Sequence, residues 1–542
     1  MDNRRLRVAA TLIAILTFGL RAVNLTRSYD IHVDEAIYLG LSESVAEHLR
    51  LEFFGGPFYL HPPTFFFLEA AYLKVVQPSG ELVHLIHTVR YLNLALAGLS
   101  AALLFLIGHA VAGWRGGAAA AVGFMIDPFV IRMNSVNLLD TCAITWVLVG
   151  HYLVLSLDTR AGRVGAIARP RHTWRVGAAG VAYGLALLSK DMTAPLTLLP
   201  LGVCFCLGWA LPRRISALIG AIAVLTYATY PLTIAAAGDW EAFQNQKLHG
   251  LARFVGLVHE TGFKQAGGPS FLQAIVANLE QYVTTYAMIG SGLVAIGTLL
   301  ALGGTKPRLV ATWTACAYAL LAYSIAQGTL EEQFFYFLVV PSILATALAA
   351  TLLFQPLPPE SGALHPHEPA PVAARGEADG PGESRRCAAR AQALQARLAK
   401  EGRRAWARVR SGTLASIAVV GLAFTLWSGY IWVRVHFTPD NGYERLVAFL
   451  RHADPGGERT AVTSTSAAII LVGHVRGSVA SPDDVRANHI EYLELSTKNV
   501  ENHYGEPSPE FYAWIIQHGE PVFAFRGRSY GTLVVYRLAD RP

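Results

Sequence analysis

The chain has 542 residues, of which 53% are hydrophobic and only 15% are charged, whereas soluble proteins carry charge on about 25% of their residues. This composition excludes an ordinary soluble enzyme, and the mean hydropathy of +0.37 agrees. The five cysteines are too few and too scattered for a disulfide framework. The net charge of +6 does not indicate a nucleic-acid partner, because the basic residues are concentrated in alternate loops between apolar segments.

Eleven apolar segments are long enough to cross the roughly 30 Å hydrocarbon core of a bilayer. They cover residues 6–26, 84–112, 117–135, 138–157, 173–190, 193–210, 214–236, 281–302, 309–327, 334–354 and 412–432. The first segment follows Arg4, Arg5 and Arg7 and lacks a small-residue cleavage site, which predicts a retained helix and a cytoplasmic N-terminus. Every second connection is then basic, as the positive-inside rule requires. The sequence therefore predicts a multi-pass protein of the plasma membrane.

Four parts are expected along the chain. They are a transmembrane module at 1–354 with long outer connections at 27–83 and 237–280, a cytoplasmic linker at 355–411 that is first Pro-rich and then basic, a last crossing at 412–432, and an extracytoplasmic domain at 433–542. The last part has ordinary polarity and mixed patterns, which indicate a small α/β domain. Its expected helices are at 441–452 and 507–518, and its expected strands lie within 460–475, 522–525 and 532–537.

Charged residues beside or inside apolar segments are functional candidates, because burying a charge costs several kcal/mol unless it has a partner. Four clusters meet this description, and all of them fall on the predicted outer face. They are Tyr29 to Tyr38, Phe58 to Pro63, Arg132 to Asp140, and Ser189 to Asp191. One outward-facing site could collect all four.

Each cluster also has a structural explanation. Asp34 could be a helix cap, and His61 could be an interfacial residue at a rigid Pro-Pro corner. Arg132 and Asp140 could satisfy each other, and Lys190 could extend to the membrane surface. A further outer segment, Gln246 to Val258, alternates cationic and apolar residues and predicts an amphipathic interfacial helix, either a guide for a lipid phosphate or a seal on the bundle.

Together these motifs resemble those of the polyprenyl-phosphate-sugar glycosyltransferases of GT-C type. The matching motifs are Asp34-Glu35 after the first crossing, His61-Pro62-Pro63, Leu138-Leu139-Asp140, and Leu187-Leu188-Ser189-Lys190. The sequence is most similar to the protein O-mannosyltransferase-like group, glycosyltransferase family 39, with kinship to the lipid A aminoarabinose transferases. The resemblance covers about residues 1–240 by motif and extends to about 354 by hydropathy. It implies an all-α polytopic membrane bundle with about eleven transmembrane helices and a C-terminal extracytoplasmic α/β domain.

The resemblance also implies an inverting enzyme that moves a sugar from a polyprenyl-phosphate donor to an acceptor hydroxyl on the outer face. In the predicted catalytic pair, Asp34 would be the general base, and Glu35 would be better suited to orienting a loop or the acceptor. The donor phosphate would be bound by Lys190, His61 and Arg132, with Asp140, Tyr38 and Tyr59 in support. No metal ion and no cofactor is expected. The expected partners are the lipid-linked sugar, a protein, lipid or glycan acceptor, and membrane lipids.

The chain departs from both related groups. Where the mannosyltransferases tend to have a basic residue after the Pro-Pro corner, this chain has Thr64-Phe65-Phe66-Phe67. Where the aminoarabinose transferases have an Arg after the acidic pair and a Lys before the proline, it has Ile37 and His61. The resemblance therefore does not predict which substrate this chain uses.

Two other classes of protein remain compatible with a polytopic chain. A lipid or sugar transporter should have repeat-related halves and broken helices near the bilayer midplane, whereas the polar clusters here lie at one surface. A non-catalytic outer-face protein could instead use the C-terminal domain to bind a glycan. Neither class accounts for the Asp34-Glu35 pair as well as the transferase does.

Overall fold

The computed structural model describes residues 2–157, 170–258, 270–354, 419–502 and 508–538. The chain divides into two compact units, one made of Met1–Ala349 with Ser428–Pro542 and the other of Ala350–Trp427. The predicted linker at 355–411 lies outside the described residues, as do the first residues of the last predicted crossing.

Helices make up most of the described residues before 354. They are α1 (Asn3–Ala22), α2 (Leu25–Ser28), α3 (Val33–His48), α4 (Thr64–Val76), α5 (Leu82–Ile126), α6 (Pro128–Ser135), α7 (Leu139–Leu155), α8 (Pro170–Ser189), α9 (Ala194–Leu207), α10 (Arg213–Ala237), α11 (Trp240–Phe254), α12 (Phe271–Ala277), α13 (Leu279–Leu302), α14 (Thr305–Gln327) and α15 (Glu332–Leu353). A short hairpin of β1 (Glu52–Phe53) and β2 (Gly56–Pro57) interrupts them between α3 and α4. In the part of the chain that is described, α16 covers residues 419–437.

Each of the eleven apolar segments predicted from hydropathy falls on one or more helices. Within the described ranges, five helices are long and apolar enough to cross a bilayer, and a sixth crossing is added if α6 and α7, bent by 112°, count as one span. The five are α5, α10, α13, α14 and α15. Helix α9 has only 14 residues and α1 carries several arginines, so the number of eleven crossings stays a prediction.

Helix α5 contains two predicted crossings, and its halves fold back on each other at Gly113. There φ is 76° and ψ is −174°, values outside the helical region. A Cβ atom at Gly108 would lie 2.7 Å from the Cα atom of Gly117, although a straight helix would separate these residues by about 14 Å. The glycines thus let the two halves pack with their backbones in contact, as two antiparallel helices.

The C-terminal part of the chain forms a small α/β region. Its elements are α17 (Gly442–Ala453), β3 (Thr460–Val462), α18 (Thr465–Ile470), α19 (Pro482–Ala487), β4 (Tyr492–Ser496), α20 (Thr497–Asn502), α21 (Pro509–His518), β5 (Gly519–Arg526) and β6 (Thr532–Leu538). The sheet order is β3-β4-β6-β5, with β3 parallel to β4 and the other two pairs antiparallel.

The secondary structure expected for this region is largely present, with two differences. The predicted strand within 460–475 ends at Val462, and the rest of that apolar run begins with helix α18. Strand β4 was not predicted, because the buried Glu494 at its centre interrupts the apolar pattern.

The α/β region and the helical module share one hydrophobic core. Its α/β residues include Tyr443, Leu446, Val447, Leu533 and Val535, and its residues from the helical module include Ile31, Ala36, Leu39, Ile86 and Val89. The region thus packs directly on the beginning of α3, the helix that carries Asp34 and Glu35.

Candidate functional site

A cavity of ≈ 550 Å³ lies between the loop before α4, the start of α3, the α8–α9 corner, α11 and the start of α15. We call it the Asp34 cavity. Its volume is within the range of about 300 to 1,000 Å³ that is typical of small-molecule sites. The polar side chains that line it are Asp34, Tyr38, His61, Lys190, Asp191, Lys247, Arg253, Thr329, Glu331 and Gln333. Three of the four predicted clusters therefore contribute to a single cavity.

Asp34 stands on the first turn of α3 without serving as its cap. The cap is His32, whose Nδ1 accepts a hydrogen bond from the backbone N–H of Asp34 at 3.3 Å. The Asp34 side chain is 37% exposed, and its nearest ionisable contact is the His32 ring at 3.7 Å.

Asp34 differs from the other acidic groups of the cavity in its partners. Asp191 forms a salt bridge with Lys247, and Glu331 forms one with Arg253. No Lys or Arg forms a salt bridge with Asp34 in the described ranges. Asp34 is thus placed to accept a proton without first breaking an ion pair.

Glu35 points away from the cavity and is fully buried. Arg90 donates two hydrogen bonds to its carboxylate, at 2.8 and 2.7 Å, and the backbone N–H groups of His32 and Asn137 donate two more, at 2.9 and 2.6 Å. Burial raises the pKa of Glu35, but the charge of Arg90 and these hydrogen bonds outweigh it and hold the pKa below its usual value. The arrangement suits a group that orients the start of α3, and a catalytic role for Glu35 stays a prediction.

Lys190 lines the cavity from the end of α8 and is held by Asp140. The ammonium donates to Asp140 Oδ1 at 2.7 Å, and both side chains are buried. Asp140 therefore pairs with Lys190, while Arg132 binds Glu332, so the idea that Arg132 and Asp140 satisfy each other is wrong. An ammonium has three N–H donors, of which Asp140 uses one.

His61 and Tyr38 are neighbours in the cavity lining, with ring centroids 5.7 Å apart in an edge-to-face arrangement. Burial lowers the pKa of His61 well below its usual value, and the charges of Lys190, Lys247 and Arg253 lower it further. The imidazole is therefore neutral near pH 7. It can serve a phosphate as an N–H donor but not as a cation.

Two residues expected at the site lie elsewhere. Arg132 lines a second cavity of ≈ 330 Å³, where it contacts Glu332 and the Tyr282 hydroxyl, and this second cavity shares only Glu331 with the Asp34 cavity. Tyr59 lines a third cavity of ≈ 410 Å³ and donates from its hydroxyl to Asp239 at 2.7 Å. Their predicted roles are not supported by proximity to Asp34.

Lys247, Arg253 and Glu331 belong to the cavity but were not among the predicted site residues. Lys247 and Arg253 lie on α11, which overlaps the amphipathic segment predicted at Gln246 to Val258. Their cationic side chains in that segment could therefore have indicated them as site residues. Lys247 also donates to the Leu60 carbonyl at 3.0 Å and thereby ties α11 to the loop that carries His61. Glu331 lies in a short connection with no distinguishing pattern.

Among the described residues, no group of three or more His, Cys, Asp or Glu side chains is arranged to hold a metal ion. The cations that face the cavity are instead side chains of the protein. They are Lys190, Lys247 and Arg253.

Glu69 is a second buried acid behind the site. Asn137 donates to its Oε1 at 2.9 Å and links it to Glu35, because the backbone N–H of the same asparagine binds Glu35. Burial raises the pKa of Glu69 to about 8. The carboxyl group is therefore mostly protonated at neutral pH.

We expect Glu69→Gln, which preserves the neutral state and the shape, to fold and to retain activity. Because the folded pKa lies above the ordinary value of 4.5, the wild-type protein loses stability as pH rises from 4.5 through about 8, and the variant does not. The measurement is the unfolding midpoint of each solubilised protein between pH 5 and 9. The midpoint of the variant should exceed that of the wild type by an amount that grows up to about pH 8 and is constant above it. A difference that is constant with pH would contradict the protonated state of Glu69.

No family model matches the sequence, and no curated protein sequence matches it. Solved structures do match over nearly the whole chain. The structure of ArnT from Cupriavidus metallidurans bound to undecaprenyl phosphate is 14% identical with a TM-score of 0.55, and the match covers 99% of each chain. The structure of AglB, an oligosaccharyltransferase from Archaeoglobus fulgidus in complex with an inhibitory peptide and a dolichol-phosphate, is 12% identical with a TM-score of 0.57, over 98% of this chain and 74% of that chain.

The protein has the GT-C fold. The all-α polytopic bundle and the C-terminal α/β region expected from the sequence are thereby confirmed, and the chain is a multi-pass membrane protein. In this GT-C fold, the Asp34 cavity is built by the first long connection, the α8–α9 corner and α11.

Proposed function

We propose that the protein is an inverting glycosyltransferase that moves a sugar from a polyprenyl-phosphate donor to an acceptor hydroxyl. The observation that carries the proposal is Asp34, a partly exposed carboxylate with no Lys or Arg partner among the described residues, in a cavity that Lys190, Lys247 and Arg253 also line. The GT-C fold supports it, since the matched structures contain undecaprenyl phosphate in one case and dolichol-phosphate in the other.

In the proposed reaction Asp34 takes the proton of the acceptor hydroxyl as its oxygen attacks the anomeric carbon. The new carbon–oxygen bond forms while the bond between the anomeric carbon and the phosphate oxygen breaks. Its electron pair leaves with the polyprenyl phosphate. One displacement with one base inverts the configuration of the anomeric carbon.

The leaving phosphate gains negative charge and needs donors that are already in place. Lys190 fits this role, because its salt bridge with Asp140 fixes its position and leaves N–H donors in the cavity. His61 fits it as a neutral N–H donor. Lys247 and Arg253 add positive charge, although each already has an acidic partner.

We assign Arg132 to the acceptor and not to the donor phosphate. It lines the second cavity together with Lys498, Tyr282 and Tyr286, and Glu331 is the wall that both cavities share. An acceptor bound in the second cavity would extend past Glu331 to bring its hydroxyl to Asp34. We further propose that the site faces the outside of the plasma membrane, because the basic connections are those on the opposite face.

The experiment that tests the function uses the purified, full-length protein with a panel of polyprenyl-phosphate sugars and protein, lipid and glycan acceptors. We expect acceptor-dependent release of polyprenyl phosphate from at least one donor, and no transfer from the matching nucleotide sugars. Release from no donor, or transfer from a nucleotide sugar, would contradict the proposed function.

A further inference from the structure

The stretch from Arg27 to Ile31 lies just before the helix that carries Asp34 and is held by residues distant in the sequence. All five of its backbone carbonyls accept hydrogen bonds from such residues. The donors are the Asp440 N–H to Arg27 at 2.7 Å, the Arg528 guanidinium to Ser28, the Arg90 guanidinium to Tyr29 and Asp30 at 2.9 Å each, and the Tyr530 hydroxyl to Ile31 at 2.7 Å. Three of the five bonds come from the C-terminal α/β region.

The Asp30 side chain also links this stretch to the α/β region, by binding the backbone of that region. Its carboxylate accepts from the backbone N–H groups of Gly442 at 2.8 Å and Tyr443 at 3.2 Å, the first two residues of α17. A carboxylate at a helix N-terminus binds N–H groups that have no partner within the helix and also interacts favourably with the helix dipole. Asp30 therefore caps a helix that begins more than four hundred residues later.

Side chains pack closely around Gly442 at this cap. A Cβ atom at Gly442 would lie 2.9 Å from Asp30 Oδ2 and 2.6 Å from Leu533 Cδ1, so a larger residue there would have to displace these side chains. Ile31 also packs into the core that the α/β region shares with the helical module. The contact is thus closely packed as well as hydrogen-bonded.

Two further contacts fix the donors themselves. Asp440 accepts from the backbone N–H of Arg528 at 2.7 Å and from the Ser529 hydroxyl at 2.8 Å. Burial and the nearby acids Asp30, Glu35, Asp34 and Asp440 keep the pKa of Tyr530 well above its usual value. Tyr530 therefore remains a hydrogen-bond donor throughout the neutral range.

We propose that the α/β region is a positioning element for Asp34 and that Asp30 and Tyr530 are the positioning residues. Only His32 and Val33 separate Ile31 from Asp34, so fixing this segment adds to the hold that Arg90 and Glu35 already have on the start of α3. The proposal rests on the proposed function, because it assigns a catalytic consequence to a contact that does not touch the substrate. Misplacing a reacting group by about 1 Å can reduce turnover about 100-fold.

The sharpest test is Tyr530→Phe, which removes one hydroxyl and leaves the ring in place. We expect kcat to fall about tenfold, while the donor KM changes less than twofold and the unfolding midpoint stays within about 2 °C. Tyr536→Phe on β6 is the matched control, since the structure gives its hydroxyl no hydrogen bond with the 27–31 segment, and it should retain wild-type kcat. Asp30→Asn should lower kcat more than Tyr530→Phe, because its amide nitrogen cannot accept from Gly442.

The outcomes separate this inference from the proposed function. If Tyr530→Phe and Asp30→Asn keep wild-type kcat in a protein whose turnover depends on Asp34, the positioning role is wrong and the function stands. If either variant raises the donor KM with kcat unchanged, the α/β region binds the donor and does not position Asp34, which also overturns the inference. If the wild-type protein transfers no sugar, the proposed function fails first.

Discussion

Asp34→Asn is expected to lower kcat by a factor of about 10² to 10⁴, the usual contribution of a positioned general base. The amide has the size of the carboxylate but cannot take the proton of the acceptor hydroxyl. Donor affinity should change less than threefold, because Lys190 and His61 are unaltered. The measurement is the initial rate of polyprenyl phosphate release, together with the dissociation constant of the donor.

Glu47→Gln is the matched control for this experiment. Glu47 lies on the same helix as Asp34, its side chain is 73% exposed, and it does not line the cavity. It should keep wild-type activity. If Asp34→Asn retained more than a tenth of the wild-type rate, Asp34 would not be the base.

Arg90→Met is expected to destabilise the folded protein strongly, by about 3 to 5 kcal/mol. It would leave the fully buried Glu35 carboxylate without its cation, and uncompensated buried charges cost about that much. It would also remove the donors to the Tyr29 and Asp30 carbonyls. Unfolding of the solubilised protein, followed against the wild type at the same pH, measures the effect.

Arg451→Met provides the comparison for Arg90→Met, because Arg451 forms an exposed ion pair with Glu81. Exposed pairs contribute about 0 to 1 kcal/mol, so this variant should unfold close to the wild type. Equal stability of the two variants would mean that the Arg90–Glu35 pair does not hold the start of α3.

Much of the fold could be predicted because bilayer crossings leave a strong pattern in the sequence. Apolar length located the five membrane-length helices of the described ranges, including both halves of α5, which meet at Gly113. The break between α5 and α6 was not visible in hydropathy, since Asp127 and Pro128 end one helix and begin the next within the apolar segment 117–135. Strand β4 could not be predicted because the buried Glu494 interrupts its apolar pattern.

Site residues could be predicted where a charge interrupts an apolar segment. They could not be predicted where the partner of a charged residue depends on tertiary packing. Asp34, His61 and Lys190 were expected at one site, and the structure gathers them in one cavity. The sequence could not tell that Arg132 binds Glu332, or that Glu331 joins the cavity, because both depend on how the connection before α15 packs. Three of the five donors to the carbonyls of the Arg27 to Ile31 stretch come from the far end of the chain, and no local sequence pattern indicates them.

The central claim is a single displacement with Asp34 as its base, and the anomeric configuration of the first product tests it most directly. A single displacement inverts the anomeric carbon, whereas a double displacement through a covalent glycosyl intermediate retains its configuration. With a donor of known configuration, nuclear magnetic resonance of the product formed by the wild-type protein should show the opposite anomer, and Asp34→Asn should form almost none. Retention of configuration, or equal product from both proteins, would contradict the account.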